Sequence, residues 1–248
     1  RLKTKLVWHN LTNRGHIEVD ITGKFAVPPD QVVWQERQNR LIFIGAGAYR
    51  NSSPLASPAW HDNDLYSLSL VSAGEQIRKL TDLGSYEMSD LLLSSDGSKA
   101  YFAYSSPGEG LDIIYASIDL RDDKIETVFA QNTSQFKKDP VDPSVGRVIR
   151  RIQKQGNKLF LTLNDRGPQG QGGYVYNLYI LTTDNKLNRL TNLQGYISNF
   201  VVDLEKNRII FSVNISWPEQ NNYKLMTINL DGTGLQEVNL PRIPAQTS

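Results

Sequence analysis

The chain has 248 residues and no cysteine, and its 27 lysines and arginines stand against 26 aspartates and glutamates, for a formal net charge of +1. The missing cysteines exclude disulfide frameworks, thiolate metal sites and cysteine nucleophiles. The balanced charge supplies no global field to draw nucleic acid or an anionic membrane, and no run approaches the roughly 18 apolar residues of a membrane span.

Residues 4–22, TKLVWHNLTNRGHIEVDIT, read as two strands around an Asn-Arg-Gly turn. From there on, alternating apolar residues between Gly, Asn, Asp and Ser turns dominate, and amphipathic helical stretches of useful length are missing. A four-part phrase then returns along the chain. It opens on a short apolar strand, as in QVVW at 31–34, DLLL at 90–93 and NFVV at 199–202. A polar turn leads to an anchor strand: NRLIFIGA from Asn39, SKAYFAYS from Ser98, NKLFLTLN from Asn157 and NRIIFSVN from Asn207. A third strand follows in DLYSLSL, DIIYASIDL, NLYILTT and YKLMTINL, and a fourth in QIRKLTDL, KIETVFA, KLNRLTNL and LQEVNL.

The anchors start 59, 59 and 50 residues apart. One four-stranded antiparallel unit cannot bury both its faces, whereas several stacked around an axis can, and that arrangement is a β-propeller. A β-sandwich of unrelated strands would not need the phrase to return in order. The expected fold class is therefore all-β. A single propeller domain over 1–248 would hold legible blades at 28–83, 84–131, 145–193 and 194–240, with a partial blade at 1–27. Only PRIPAQTS follows the last unit, room for one strand at most. The fifth blade is then incomplete or the chain is part of a longer protein, and the second reading is favoured.

The run RKLTDL, LLLSSDGSKAYFAYSS, DIIYASIDL resembles the repeat of TolB-like propellers, related in turn to the propellers of prolyl-oligopeptidase-type and tricorn-type peptidases. The resemblance covers about residues 30–240. It is strong at Leu80-Thr81, Ser95-Asp96-Gly97 and Leu190-Thr191, and weaker at QKQGNK, which lacks the Asp-Gly, and at EVNL, which lacks the Leu-Thr pair. The motif is structural, with Asp-Gly making a hairpin turn. The resemblance implies a bacterial protein of the periplasm, cell envelope or exterior.

In propeller geometry the loops joining second to third strands share a face with the links between blades. Here these are the long segments: Gly47–Asn63, Asp165–Tyr174, Ser216–Asn222, and the link QNTSQFKKDPVDPSVG. Long loops on a rigid scaffold often carry function. Tyr49, Trp60 and Trp217 lie in them beside Arg50, His61, Asp62, Arg166 and Glu219. Exposed aromatics among polar groups suit a protein or peptide partner, with a polysaccharide as the alternative. Against this, each tryptophan taken alone is better explained as a plug under its own loop.

WHDND at 60–64 raises a metal site. Oligogalacturonate lyases resemble TolB-like propellers and use a histidine-rich metal centre, but His9, His16 and His61 are too scattered to reproduce one. No metal or cofactor is expected, and an Asx-turn is the plainer reading of the aspartates. The basic run Arg147, Arg150, Arg151, Lys154, Lys158 either lines a central channel or pairs with acids on neighbouring blades. No Gly-x-Ser-x-Gly elbow and no phosphate loop is present. The sequence therefore points to no catalytic residue and to a binding or scaffold module. The rivals are an accessory propeller of a peptidase and a sugar-polymer binder or lyase.

Overall fold

The computed structural model describes residues 3–9, 16–29, 31–50, 59–70, 77–105, 113–130, 149–166, 174–182, 186–217 and 221–239, with only the backbone at 48–50, 59–61, 166 and 174. They fall into two compact units, 1–133 and 134–248. Among the described residues every element is a strand except one 3-10 turn at Glu36–Gln38.

The first unit begins with an antiparallel hairpin, β1 (Lys5–His9) and β2 (His16–Asp20). Two four-stranded antiparallel sheets follow. One holds β3 (Val32–Gln35), β4 (Arg40–Arg50), β5 (Ala59–Ser69) and β6 (Ile77–Lys79) in spatial order. The other holds β7 (Met88–Leu93), β8 (Lys99–Ser105), β9 (Ile113–Asp119) and β10 (Ile125–Ala130). The second unit repeats the pattern with β11 (Ile149–Gln155), β12 (Lys158–Arg166), β13 (Tyr174–Leu181) and β14 (Leu187–Arg189), then β15 (Tyr196–Asp203), β16 (Arg208–Asn214), β17 (Tyr223–Asn229) and β18 (Gln236–Glu237). A single parallel bridge, Tyr176 to Tyr196, joins the two groups. Each group of four coincides with one return of the sequence phrase.

Burial explains why the strands are apolar on both faces. In the first unit Ile42, Ile44 and Leu65 pack with Leu91, Ala100, Phe102 and Ile118 of the next sheet. The opposite face of the first sheet, with Leu41, Phe43 and Leu68, is covered by Val19 and Ile21 of the hairpin region, and Trp8 lies on Trp34 with centroids 5.3 Å apart. In the second unit Phe160, Leu178 and Ile180 meet Phe200, Val202, Ile209 and Phe211. Each such side chain contributes about 1.5–3 kcal/mol relative to exposure.

Polar groups tie successive groups of strands together. Gln35 Nε2 donates to Gly97 O, and Arg40 Nη2 to Leu120 O at 2.9 Å. In the second unit Gln153 Nε2 donates to Phe200 O at 2.7 Å and Arg151 Nε to Ser198 O at 3.3 Å. The inner strands β7, β11 and β15 each carry a bulge where the register shifts. Such bulges bend a strand.

Two expectations change. The segment 47–63 is not a loop throughout. The ladder runs on to Tyr49 opposite Trp60 and Arg50 opposite Ala59, because paired strands satisfy backbone groups that a loop of that length leaves open. Likewise β12 and β13 extend to a pair of Arg166 with Tyr174. The fourth strands are shorter than the phrase suggests, since Leu80-Thr81 and Leu190-Thr191 lie just past β6 and β14.

Candidate functional site

The most repetitive chemistry in the chain is a buried lock. Asp64 Oδ1 accepts from the Thr81 hydroxyl at 2.7 Å and from Leu83 N at 2.7 Å, while the Thr81 oxygen accepts from Leu65 N at 2.9 Å. In the second unit Asn177 Oδ1 accepts from the Thr191 hydroxyl at 2.8 Å and Leu193 N at 2.8 Å, and Thr191 Oγ1 accepts from Leu178 N at 2.9 Å. These are the conspicuous residues of DLYSLSL…KLTDL and NLYILTT…RLTNL. The threonine replaces a strand that has ended, so third and fourth strands stay joined with no orphaned amide. Asp64 is therefore no Asx-turn residue and is not available as a ligand. It is fully buried, and Lys79 Nζ stands 2.9 Å from its Oδ2. Hydrogen bonds to Asp82, then to Asp64, raise the Lys79 ammonium above the ordinary lysine value.

Arg189 takes the place of Lys79 in the second unit, 3.2 Å from Asp165. In the last sheet the polarity is reversed: Lys224 occupies the Asp64 position and Glu237 the Lys79 position, 2.6 Å apart. Lysine cannot accept a hydrogen bond, so a threonine in EVNL would find no such acceptor there.

The residues singled out from the sequence are placed as follows. Tyr49 and Trp60 are directly paired across β4 and β5, Ala48 faces His61, and Arg50 faces Ala59. The side chains of Tyr49, Arg50, Trp60, His61 and Arg166 lie outside the described residues, as does the whole of Glu219. Asp62 has a left-handed backbone, φ 65°. Its carboxylate occupies space that a Cβ on Gly47 would enter, at 2.8 Å from Oδ2, and that one on Gly84 would crowd at 3.1 Å from Oδ1.

Trp217 is exposed (40%), and residues 218–220 of its loop lie outside the described residues. It lies against Tyr196, centroids 4.8 Å apart. Tyr196 in turn meets the buried Tyr176 edge-on at 4.9 Å, and the Arg150 guanidinium stands 5.9 Å from the Tyr176 ring. Arg150, Tyr176, Tyr196 and Trp217 thus form one run at the long-loop end of the second unit. Arg150 belongs to the basic run read from the sequence, and here it meets an aromatic face, a contact worth about 0.5–1 kcal/mol at exposed sites.

Four members of the site, Tyr176 among them, went unread in the sequence. Tyr196, Asn214 and Tyr223 are direct cross-strand neighbours on β15, β16 and β17. Asn214 is 1% exposed, and its Oδ1 accepts from Ser216 N at 3.2 Å and Asn222 N at 3.1 Å, shaping the turn that carries Trp217. Its Nδ2 has no hydrogen-bond partner among the described residues. Ile215, Trp217 and Tyr223 are all exposed around it. The available signal was the tyrosine that follows each lock, in LTDLGSY and LTNLQGY. Among the described residues no group of three or more His, Asp or Glu side chains could hold a metal ion.

No family model matches the chain, and no curated protein matches its sequence. Solved structures do share its fold. The β-propeller domain of the trilobed protease from Pyrococcus furiosus, described as having an open velcro topology, is 13% identical and aligns over 95% of this chain and 64% of its own, with a TM-score of 0.57. The tricorn protease is 12% identical over 96% of this chain and 21% of its own, with a TM-score of 0.58. A putative TolB from Agrobacterium tumefaciens is 12% identical over 94% of this chain and 87% of its own, at a TM-score of 0.43, too low to argue from. The chain thus spans less than two thirds of the trilobed protease propeller. At these identities the likeness establishes architecture alone, and the narrower TolB-like assignment rests on the repeat residues. The fold is that of a β-propeller with antiparallel blades.

Proposed function

We propose that this chain is a non-catalytic binding or scaffold module, working in the bacterial periplasm, envelope or exterior, that takes a protein or peptide on the long-loop face of its propeller. The observation that carries this reading is the run Arg150, Tyr176, Tyr196, Trp217, which leaves a large aromatic ring exposed on a rigid base. Aromatic and arginine side chains held in this way dominate many protein interfaces. The extracytoplasmic placement rests on the sequence resemblance. No cofactor is invoked.

A second reading is an accessory propeller of a peptidase. The trilobed protease propeller, the tricorn protease and puromycin hydrolase each contain a part similar in fold to this chain, the last at 11% identity and a TM-score of 0.51. A catalytic domain carried elsewhere would use the same face to admit substrate. Fold alone does not choose between these uses.

The test is capture from a bacterial envelope extract with the native protein and with the Trp60→Ala/Trp217→Ala variant as baits. Proteins held by the first and lost by the second are the expected result. Loss of glycan alone would favour the polysaccharide reading, and identical recovery by both baits would overturn the assignment of the face.

A further inference from the structure

We infer that His9 and His16 form a chelating pair for a divalent transition-metal ion of the zinc class, on the outer face of the N-terminal hairpin. The inference is independent of the binding face proposed above.

Strand alternation decides which side chains share a face. Leu6 and Trp8 on β1, with Ile17 and Val19 on β2, pack toward the first sheet. Lys5, Val7 and His9, with His16, Glu18 and Asp20, are exposed on the other face. The antiparallel register sets Lys5 opposite Asp20, Val7 opposite Glu18 and His9 opposite His16. Two of the chain's three histidines, apart in the sequence, are thereby direct cross-strand neighbours. Their ring centroids are 5.6 Å apart and their planes 32° from parallel.

That spacing suits a shared ion. Zinc binds imidazole nitrogen at about 2.0–2.1 Å, and a tetrahedral angle between two such bonds puts the ring centroids about 5.2 Å apart. The two rings need to close by a few tenths of an ångström, and their exposure leaves them room to turn. Glu18 Oε1 stands 3.9 Å from His16 Nε2, while Glu18 Oε2 is held by Lys5 Nζ at 2.6 Å. A carboxylate beside a ligating histidine orients the ring and raises its basicity. Imidazole nitrogen suits zinc, copper and nickel, whereas magnesium and calcium take oxygen donors. Two protein donors leave the remaining positions to water, in keeping with the lack of a larger cluster among the described residues.

An ion there has a structural use. Among the described residues β1 and β2 pair with each other and with no further strand. A two-stranded hairpin is marginal on its own. Packing through Val19 and Trp8 holds its inner face, and the ion ties its outer face at the last pair of the ladder. The hairpin is then clamped over Leu41, Phe43 and Leu68.

The test is a calorimetric titration of zinc chloride into the whole protein, prepared without a polyhistidine tag, stripped with chelator and held in excess magnesium. One zinc ion per chain is expected, bound about tenfold or more weakly by His9→Gln and likewise by His16→Gln, each tenfold corresponding to about 1.4 kcal/mol. Both side chains are exposed, so the variants should fold as the native protein does, with thermal unfolding in the absence of metal as the check. In the native protein the NMR ring signals of His9 and His16 should move together as zinc is added. Absence of saturable binding, a loss confined to one variant, or ring signals unmoved by bound zinc overturns the inference, and a mere contact between two rings would give one of these results. Zinc should also raise the unfolding temperature of the native protein and of neither variant. Binding without that rise overturns the clamp.

Discussion

The third and last sheets of the molecule share a register but end differently. In the third, Asn177 locks Thr191, Tyr176 is covered by Tyr196, and the strand end is bridged to Gly195. In the last, a Lys224–Glu237 ion pair stands where the lock should be, and Tyr223 lies open beside Asn214 and Trp217. The difference shows that the repeated motif is a device for closing strand ends. Where it lapses, Tyr223 and Trp217 stand exposed. Function at this face is therefore sought where the repeat is broken.

Breaking the lock gives the largest expected effect. Asp64→Ala strands the buried Thr81 hydroxyl and Leu83 amide and leaves Lys79 without its buried partner. A loss of about 3 kcal/mol in urea unfolding is expected, and a loss below about 1 kcal/mol would refute the lock. Asp64→Asn sharpens the point, because Asn177 already performs the task with an amide, and it should cost clearly less than the alanine variant.

Gly195→Ala comes next. A Cβ there would meet Asn214 O at 2.6 Å, backbone that cannot step aside. A cost of about 1–3 kcal/mol is expected from overpacking, with thermal unfolding as the readout. Exchanging the exposed ion pair, Lys224→Glu with Glu237→Lys, should change stability by no more than about 0.5 kcal/mol. A large loss would mean that the pair does more than hold an exposed strand end.

The smallest effect concerns the Asp96-Gly97 turn. The Ser94 hydroxyl, then the Ser98 amide and hydroxyl, hold the Asp96 carboxyl at about 2, below the ordinary aspartate value of 3.8. Because the folded value is depressed, the turn's contribution is complete above pH 3.8 and is lost as the pH falls through about 2. An NMR titration midpoint near the ordinary value would show that these hydrogen bonds do not form.

Much of the architecture was legible because burial on two faces and turn chemistry act locally. NRLIFIGA, NKLFLTLN and NRIIFSVN each became a second strand, and the Asp-Gly turn appeared with Gly97 at φ +67°. The lock escaped, although its letters were the clearest part of the repeat, because Asp64 and Thr81 meet only when strands of different length are paired. The extent of β4 and β5 escaped for a related reason. Gly47 read as the start of a loop, but it stays within β4 and leaves room for the Asp62 carboxylate. Of the site, Trp217 was visible as a loop aromatic, while Tyr196, Asn214 and Tyr223 read as ordinary strand ends. Their adjacency is a matter of cross-strand register, which no single segment reveals.

The closing of strand ends by the repeated motif is tested most directly by amide hydrogen exchange, residue by residue, on the free protein. The account predicts slow exchange at Asn63 and Tyr176, whose N–H groups are bridged, and at Leu83 and Leu193, whose N–H groups are held by the locks. Exchange at these four amides as fast as in an unfolded chain would contradict it.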